Sequence, residues 1–277
     1  METDLELPDG RTLHVYDVGP EDATVTIYYH HGTPNTGAPP EPLFPAAARL
    51  GIRWLSHDRP GYGPSTAQPG RTVASVADDV ARVADARGVE RFAVLGSSGG
   101  GPHALACAAL LPDRVRSVAT LAGIGPFDAD GLDFFAGMAS GGVAEIRAAT
   151  RGADELRRVL TDESDDDDSG VFIAADIAAL DGEWAWIGRI AGEAMRGGLT
   201  GMVDDDLCVV RPWGFRLADV TAPVLLWHGL DDRMVPCAHG EWLAGRLPTA
   251  ELRLSPGDGH ISVLRHGESA LQWIAAR

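Results

Sequence analysis

The stretch from Arg91 to Leu111, RFAVLGSSGGGPHALACAALL, constrains the fold of this chain more than any other. Its apolar run Phe92 to Leu95 has the composition of a buried strand, and Pro102 to Leu111 reads as a helix. Between them lie Gly96, Ser97, Ser98, Gly99 and Gly100. A strand that becomes a helix within so few residues strains the residue at the apex. Small residues two positions before and two after it leave room for that strain, the pattern G-x-S-x-G centred on Ser98. Such a turn pushes the Ser98 hydroxyl out over the sheet and aims the first amides of the helix at whatever the hydroxyl attacks. That is the geometry of an acyl-transfer nucleophile. Glycine-rich turns of this kind also cradle phosphate. Here G-x-x-x-x-G-K-S/T and G-x-G-x-x-G are both absent, and the turn lies mid-chain rather than after the first strand.

The rest of the chain is ordered around this turn. Leu5 to Leu7 and Thr12 to Asp17 read as an opening hairpin about Pro8, Asp9 and Gly10. Strands are expected at Val25 to His30, Ile52 to His57, Val115 to Leu121, Val224 to Trp227 and Glu251 to Leu254, with helices at Val73 to Arg87 and Ala238 to Leu247. Strand and helix in alternation predict an α/β fold, a mostly parallel doubly wound sheet with helices on both faces. Sheets of that kind bind ligands at the carboxyl ends of their strands.

The alternation stops at Phe127. Within Phe127 to Arg211 the sequence holds 19 acidic residues against 7 basic ones, and helical stretches such as Gly142 to Leu160 and Ile173 to Arg196 replace strands. The expected organisation is therefore a core of residues 1–126 and 213–277 with an inserted helical cap at 127–212. The acidic run from Asp162 to Asp168 lacks the alternating oxygen spacing and glycine of a calcium loop, and reads as a solvated linker. Phe134, Phe135, Met138, Trp184, Trp186 and Met195 are expected partly to line a pocket and partly to form the cap's own core.

Charge and composition exclude whole classes of function. All 23 basic residues are arginine, so no lysine is present for a Schiff base, for pyridoxal phosphate or for a Ser-Lys dyad. A formal charge of -17 repels phosphate backbones and argues against nucleic acid as a partner. The acidic cap favours entry of neutral or cationic substrates over anionic ones. Cys107, Cys208 and Cys237 form no C-x-x-C pair, so neither a disulfide framework nor a metal site is expected. No apolar stretch is long enough for a membrane span, and the first residues lack a basic region followed by an apolar one. A soluble, cytoplasmic protein is expected, with a small molecule, neutral and partly apolar, as its partner and no cofactor.

A serine hydroxyl needs a histidine to take its proton, and the histidine needs an acid to fix its tautomer. Candidates occur in the order Ser98, Asp232, His260, each after a strand. Asp231 is the main rival for the acid, and Asp128 a lesser one. His30, His31, His57, His103 and His228 also lie near the expected face, but only His260 falls in the last strand-to-helix loop. Gly32 permits a sharp turn after Val25 to His30, so that the backbone amide of Thr33 faces Ser98 and, with that of Gly99, makes a two-donor oxyanion hole.

In order, His31-Gly32-Thr33-Pro34, Asp-x-x-Gly-x-Gly-x-Ser at 58–65, the elbow at 96–100, His-Gly-x-x-Asp-x-x-Val-Pro at 228–236 and Gly259-His260 resemble the α/β-hydrolases. The resemblance covers the core and not the cap. It implies Ser98 as nucleophile, His260 as general base and acid, Asp232 as the orienting acid, and Thr33 and Gly99 as oxyanion amides. Related epoxide hydrolases and haloalkane dehalogenases use an aspartate where this chain has Ser98, which argues against both. The turn at 58–65 is given a structural role only, its aspartate capping backbone amides. The leading expectation is a serine hydrolase acting on an ester or lactone. Alternatives on the same triad are amide or peptide cleavage, carbon–carbon hydrolysis, perhydrolysis or a secondary-metabolite step. An alternative of another class is a ligand-binding or signalling protein on the same fold.

Overall fold

The computed structural model describes residues 1–162 and 170–277. Among them, eight strands form one sheet in the order β1-β2-β4-β3-β5-β6-β7-β8. The antiparallel edge is β1 (Glu2–Glu6) and β2 (Thr12–Val18). β2 pairs antiparallel with β4 (Ile52–His57), and from there the ladder is parallel through β3 (Val25–His30), β5 (Phe92–Ser97), β6 (Val115–Leu121), β7 (Val224–Gly229) and β8 (Ala250–Ser255). The central strands are largely apolar, β5 and β7 most of all, because both of their faces are covered.

Alternation along each strand divides the core in two. Tyr28, Val94, Val118 and Leu226 point to one side, where they meet α2 (Val76–Ala86) and α3 (Gly100–Leu110). Ile27, Leu95, Ala119 and Leu225 point to the other, where they meet α1 (Phe44–Arg49) and α10 (Gly267–Ala275). Core packing of this kind contributes about 1.5–3 kcal/mol per fully buried large apolar side chain.

Between β6 and β7 the described residues hold helices and no strand: α4 (Ser140–Arg151), α5 (Ala153–Thr161), α6 (Ala174–Leu180), α7 (Ala185–Met195) and α8 (Thr200–Val209). Two expected helices are each broken once. Gly152, at φ +112°, separates α4 from α5, and residues 181–184 turn between α6 and α7. α8 has no counterpart in the sequence reading, because its Asp204, Asp205 and Asp206 spoil any clean apolar period. Of the acidic run Asp162 to Asp168, all but Asp162 lies outside the described residues. In the last part of the chain, α9 spans Ala238–Ala244, short of the expected Leu247.

The insertion is joined to the core by more than its two chain connections. Trp184, Trp186 and Ile190 enter the apolar cluster that also holds Leu95 and Leu271. Phe134 belongs instead to a separate cluster with Ile124, Ile146 and Val235, with Phe135 and Met138 packed against it. The aromatic residues divide differently from the expected split between pocket and the cap's own core, since both clusters include residues of the sheet core. The tryptophans side with the core and the phenylalanines pack among themselves.

Candidate active site

The turn after β5 is strained as its sequence requires. Ser98 sits at φ +51°, a left-handed conformation that non-glycine residues rarely adopt. Its amide donates to Leu121 O at 2.9 Å and its carbonyl accepts from Gly101 N at 2.9 Å. A β-carbon at Gly96 would meet Gly100 O at 2.5 Å, and one at Gly100 would run into the His30 carbonyl. Both glycines are needed because backbone, which cannot move aside, occupies the space.

Three loops distant in sequence meet above this turn. His260 Nε2 lies 2.9 Å from Ser98 Oγ, and His260 Nδ1 lies 2.8 Å from Asp232 Oδ2. Asp232 is held by two amides of its own loop, Met234 N at 2.9 Å and Val235 N at 2.8 Å, both donating to Oδ1. Only Oδ2 is left for the imidazole. Burial works against the Asp232 charge, but His260 and His228 more than offset it and hold the carboxyl below its usual range. His260 is likewise buried, which disfavours its charged form; Asp232, with a smaller contribution from Asp176, outweighs the burial and raises its pKa above 6.5.

The rivals lie elsewhere. Asp231 is exposed and accepts from Gly257 N at 3.1 Å, and Asp128 is exposed. His30, His31, His57 and His103 are buried and held neutral, chiefly by desolvation, with His57 lowered to about 4. His103 packs behind the elbow, its Nδ1 3.4 Å from Val73 O. His228 donates to or accepts at neither Ser98 nor His260; its Nε2 is 2.7 Å from Val235 O.

Thr33 and Gly99 are in contact, since a β-carbon on Gly99 would lie 2.7 Å from Thr33 Oγ1 and 3.7 Å from Thr33 N. Neither amide has a protein acceptor among the described residues. The turn at 31–34 is braced from below by Arg59, whose guanidinium donates to His31 O at 2.5 Å and Gly32 O at 3.1 Å. Asp58, beside it, accepts from Gly37 N at 2.6 Å, the amide-capping role expected of the 58–65 turn.

A cavity of about 160 Å³ opens over Ser98. Phe172, Ile187 and Ala191 line it from the insertion, Leu121, Ile261 and Leu264 from the core. Among the described residues lining it, His260 is the only titratable one, and no arginine, aspartate or glutamate takes part. A narrow recess continues past Asn35 and Ser97 to Trp184 and Trp186. No cluster of three or more metal-ligating side chains occurs among the described residues. Cys107 is buried, and desolvation pushes its thiol well above the usual range, in keeping with an inert packing role.

Two residues that matter to this site are invisible to motif reading, and both come from the insertion. Asp205 on α8 accepts from Thr33 Oγ1 at 2.7 Å and Tyr62 OH at 2.9 Å, and pairs with Arg59 and Arg71 at 2.6 Å each. Asp176 on α6 accepts from the backbone that carries His260. Asp205 has only partners far away in sequence, and Asp176, beyond a local bond to Ile173 N, is marked by donors 84 to 86 residues downstream.

Comparison with known proteins places the geometry in context. A family model described as alpha/beta hydrolase fold matches residues 25–266. The chain is 27% identical to a 2-hydroxy-6-oxononadienedioate/2-hydroxy-6-oxononatrienedioate hydrolase of Cupriavidus pinatubonensis, over 96% of this chain and 91% of that one. It is 28% identical to a pimeloyl-(acyl-carrier protein) methyl ester esterase of Neisseria meningitidis, over 90% of each. In fold it is similar to the enol-lactonase from Burkholderia xenovorans, with a TM-score of 0.73 at 19% identity over 99% and 98% of the two chains.

Proposed function

This chain belongs to the α/β hydrolase fold family, and from that premise we propose that it is a serine hydrolase cleaving a neutral, partly apolar ester or lactone through an acyl-enzyme on Ser98. The observation that carries the reading is the continuous pair of hydrogen bonds from Ser98 Oγ through His260 to Asp232, at 2.9 and 2.8 Å.

In this mechanism His260 Nε2 takes the Ser98 proton as Oγ bonds to the substrate carbonyl carbon. The oxyanion accepts hydrogen bonds from the Thr33 and Gly99 amides, which cost no reorganisation because the turn and the elbow already hold them. His260 then returns its proton to the departing alcohol, or to the ring oxygen of a lactone, as the C–O bond breaks. Water, deprotonated by the same imidazole, adds to the acyl carbon and restores Ser98 as the acid leaves. Asp232 holds the tautomer that leaves Nε2 free to accept.

The cavity supports the substrate class. At about 160 Å³ it is close to the roughly 150 Å³ of an engineered apolar cavity that takes benzene. The Cupriavidus relative is named for the hydrolysis of a dioate. A dioate entering this cavity would meet no arginine among the described lining residues, which favours a neutral acyl group. The insertion over this cavity is read as a cap, residues 127–212, on a core of 1–126 and 213–277.

The test is a panel of p-nitrophenyl esters and lactones of increasing acyl size, with intact-mass detection of an acylated Ser98 and labelling by a fluorophosphonate. Turnover of esters up to benzoate size, with label on Ser98, is the expected result. A wild-type protein that neither turns over the panel nor takes the label refutes the reading and leaves a binding protein on the same fold.

A further inference from the structure

The loop that presents His260 is held from outside the core. Asp176, on α6 of the insertion, has 0% of its surface exposed. Its Oδ1 accepts from Ile261 N at 2.9 Å, Ser262 N at 2.8 Å and Ser262 Oγ at 2.8 Å. Its Oδ2 accepts from His260 N at 3.2 Å and, within its own helix start, from Ile173 N at 3.3 Å. The carboxyl group thus holds the amides of residues 260–262, which lead into the short helical turn Ser262–His266, and it comes from a residue 84 to 86 positions upstream. No arginine pairs with it among the described residues, so its acceptor capacity is met by this loop and by its own helix start. Gly259 completes the fit: a β-carbon there would collide with Asp176 Oδ2, so the carboxyl group is packed against the backbone just before the histidine.

We propose that Asp176 is a positioning residue for His260, through which the seating of the helical insertion sets both the place and the charge balance of the imidazole. The inference rests on the serine-hydrolase reading of the same site. Asp176 lines no part of the cavity over Ser98 and so does not touch substrate. Its effect passes through the backbone of residues 260–262. The charged groups facing the imidazole are Asp232, from the loop after β7, and Asp176, from α6; His228 faces Asp232 at 3.5 Å rather than His260. Asp176 therefore adds a second negative charge behind a ring that must carry a proton in mid-reaction. An imidazole displaced by even 1 Å can cost on the order of 100-fold in rate.

The experiment compares wild type, Asp176→Asn and, as a control for general acidity, the exposed Asp181→Asn. Each is assayed across pH on an ester that the wild type turns over. For Asp176→Asn, kcat is expected to fall by about tenfold or more with KM within about twofold. The acidic limb of kcat/KM moves to lower pH, because losing a negative charge makes the imidazolium harder to keep. Asp181→Asn leaves both unchanged. A purely structural role for Asp176 would lower the melting temperature without moving the limb, and that result overturns the proposal, as does an unaltered kcat and limb. If the asparagine variant does not fold, Gly259→Ala takes its place, since its methyl group pushes the carboxyl group off its donors without removing it. A wild-type profile there overturns the proposal equally. Wild-type labelling by a fluorophosphonate separates the two layers: no label is a failure of the serine-hydrolase reading, whereas label with an unmoved limb is a failure of Asp176 alone.

Discussion

The sheet core and the helical insertion differ in which of histidine, arginine and carboxyl groups they bury: all three in the core, carboxyl groups alone among the described residues of the insertion. The core buries histidines: His30, His31, His57 and His103 all lie within 3% of fully covered, and burial holds each below its ordinary pKa. The insertion has no histidine at all, and the carboxyl groups it buries among its described residues are Asp176, Asp205 and Asp206, at 0–5% exposure, whereas the core buries Asp58, Asp79, Asp232 and Asp258 beside its histidines. An acidic segment is ordinarily read as a solvated face. Here its innermost acids reach into the core and are met there by Arg59, Arg71 and the amides of residues 260–262. Charge composition alone therefore does not say where the acids of the insertion go: those closest to the site are turned inward and bonded to arginines and amides of the core.

The sharpest way to break the comparison is at the core edge. Ser98→Ala should lower kcat by about 10⁶-fold and Asp232→Asn by about 10⁴-fold, with melting temperatures close to wild type, since each removes a reacting group and little packing. If ester turnover survives Ser98→Ala, the core edge is not the chemical centre.

Next in size is the anchor from the insertion. Asp205→Ala strips Arg59 and Arg71 of a partner in a buried site and should cost about 3–5 kcal/mol in urea unfolding. Loss of the Asp205 contact to Thr33 Oγ1 should also reduce kcat, linking the insertion to the oxyanion turn. A surface-like loss below about 1 kcal/mol would show that the insertion merely rests on the core.

Acid should separate the two regions. The unfolded chain binds protons on its histidines below about pH 6.5, whereas the folded core resists doing so until much lower, about 4 for His57 and His239. Stability is thus fully present above pH 6.5 and lost as pH falls toward 4. Asp206 has the opposite sign. Burial raises its pKa, with the neighbouring Glu145 adding to the shift, so its contribution is present at low pH and lost as pH rises. Asp206→Asn should raise the melting temperature at pH 8 by about 2 °C and do nothing at pH 4. Equal effects at the two pH values would contradict the assignment. Activity has its own window. Only neutral imidazole accepts the Ser98 proton, so kcat/KM should fall as pH drops through a value above 6.5.

The smallest effect is on selectivity. Ile187→Ala, on the cavity wall between the main space and the tryptophan recess, should improve kcat/KM for a hexanoate over a butyrate ester by about tenfold. An unchanged ratio would mean that the insertion does not bound the acyl site.

Most of the core was legible in advance, and for a common reason. The strands Val25 to His30, Ile52 to His57 and Val115 to Leu121 have the bounds read from their β-branched, aromatic and apolar runs, because most of their positions are buried on one face of the sheet or the other. The elbow was legible because only glycine fits at 96 and 100. The insertion was legible only as helical. Its breaks at Gly152 and at residues 181–184, and the whole of α8, depend on what each helix packs against.

Sequence by itself determined the parallel sheet, the strained turn at Ser98 and the identity of the residues that meet there, since glycine spacing, strand period and residue chemistry are local properties. The sequence already favours Asp232 over Asp231, and tertiary structure supplies the reason: Asp232 is buried against His260 while Asp231 is exposed and bonded to Gly257 N. Tertiary structure alone decided that Asp176 and Asp205, unremarkable among 40 acidic residues, are the ones sealed against the site. The worth of a carboxyl group is set by the donors around it, and those donors come from segments that only folding brings together.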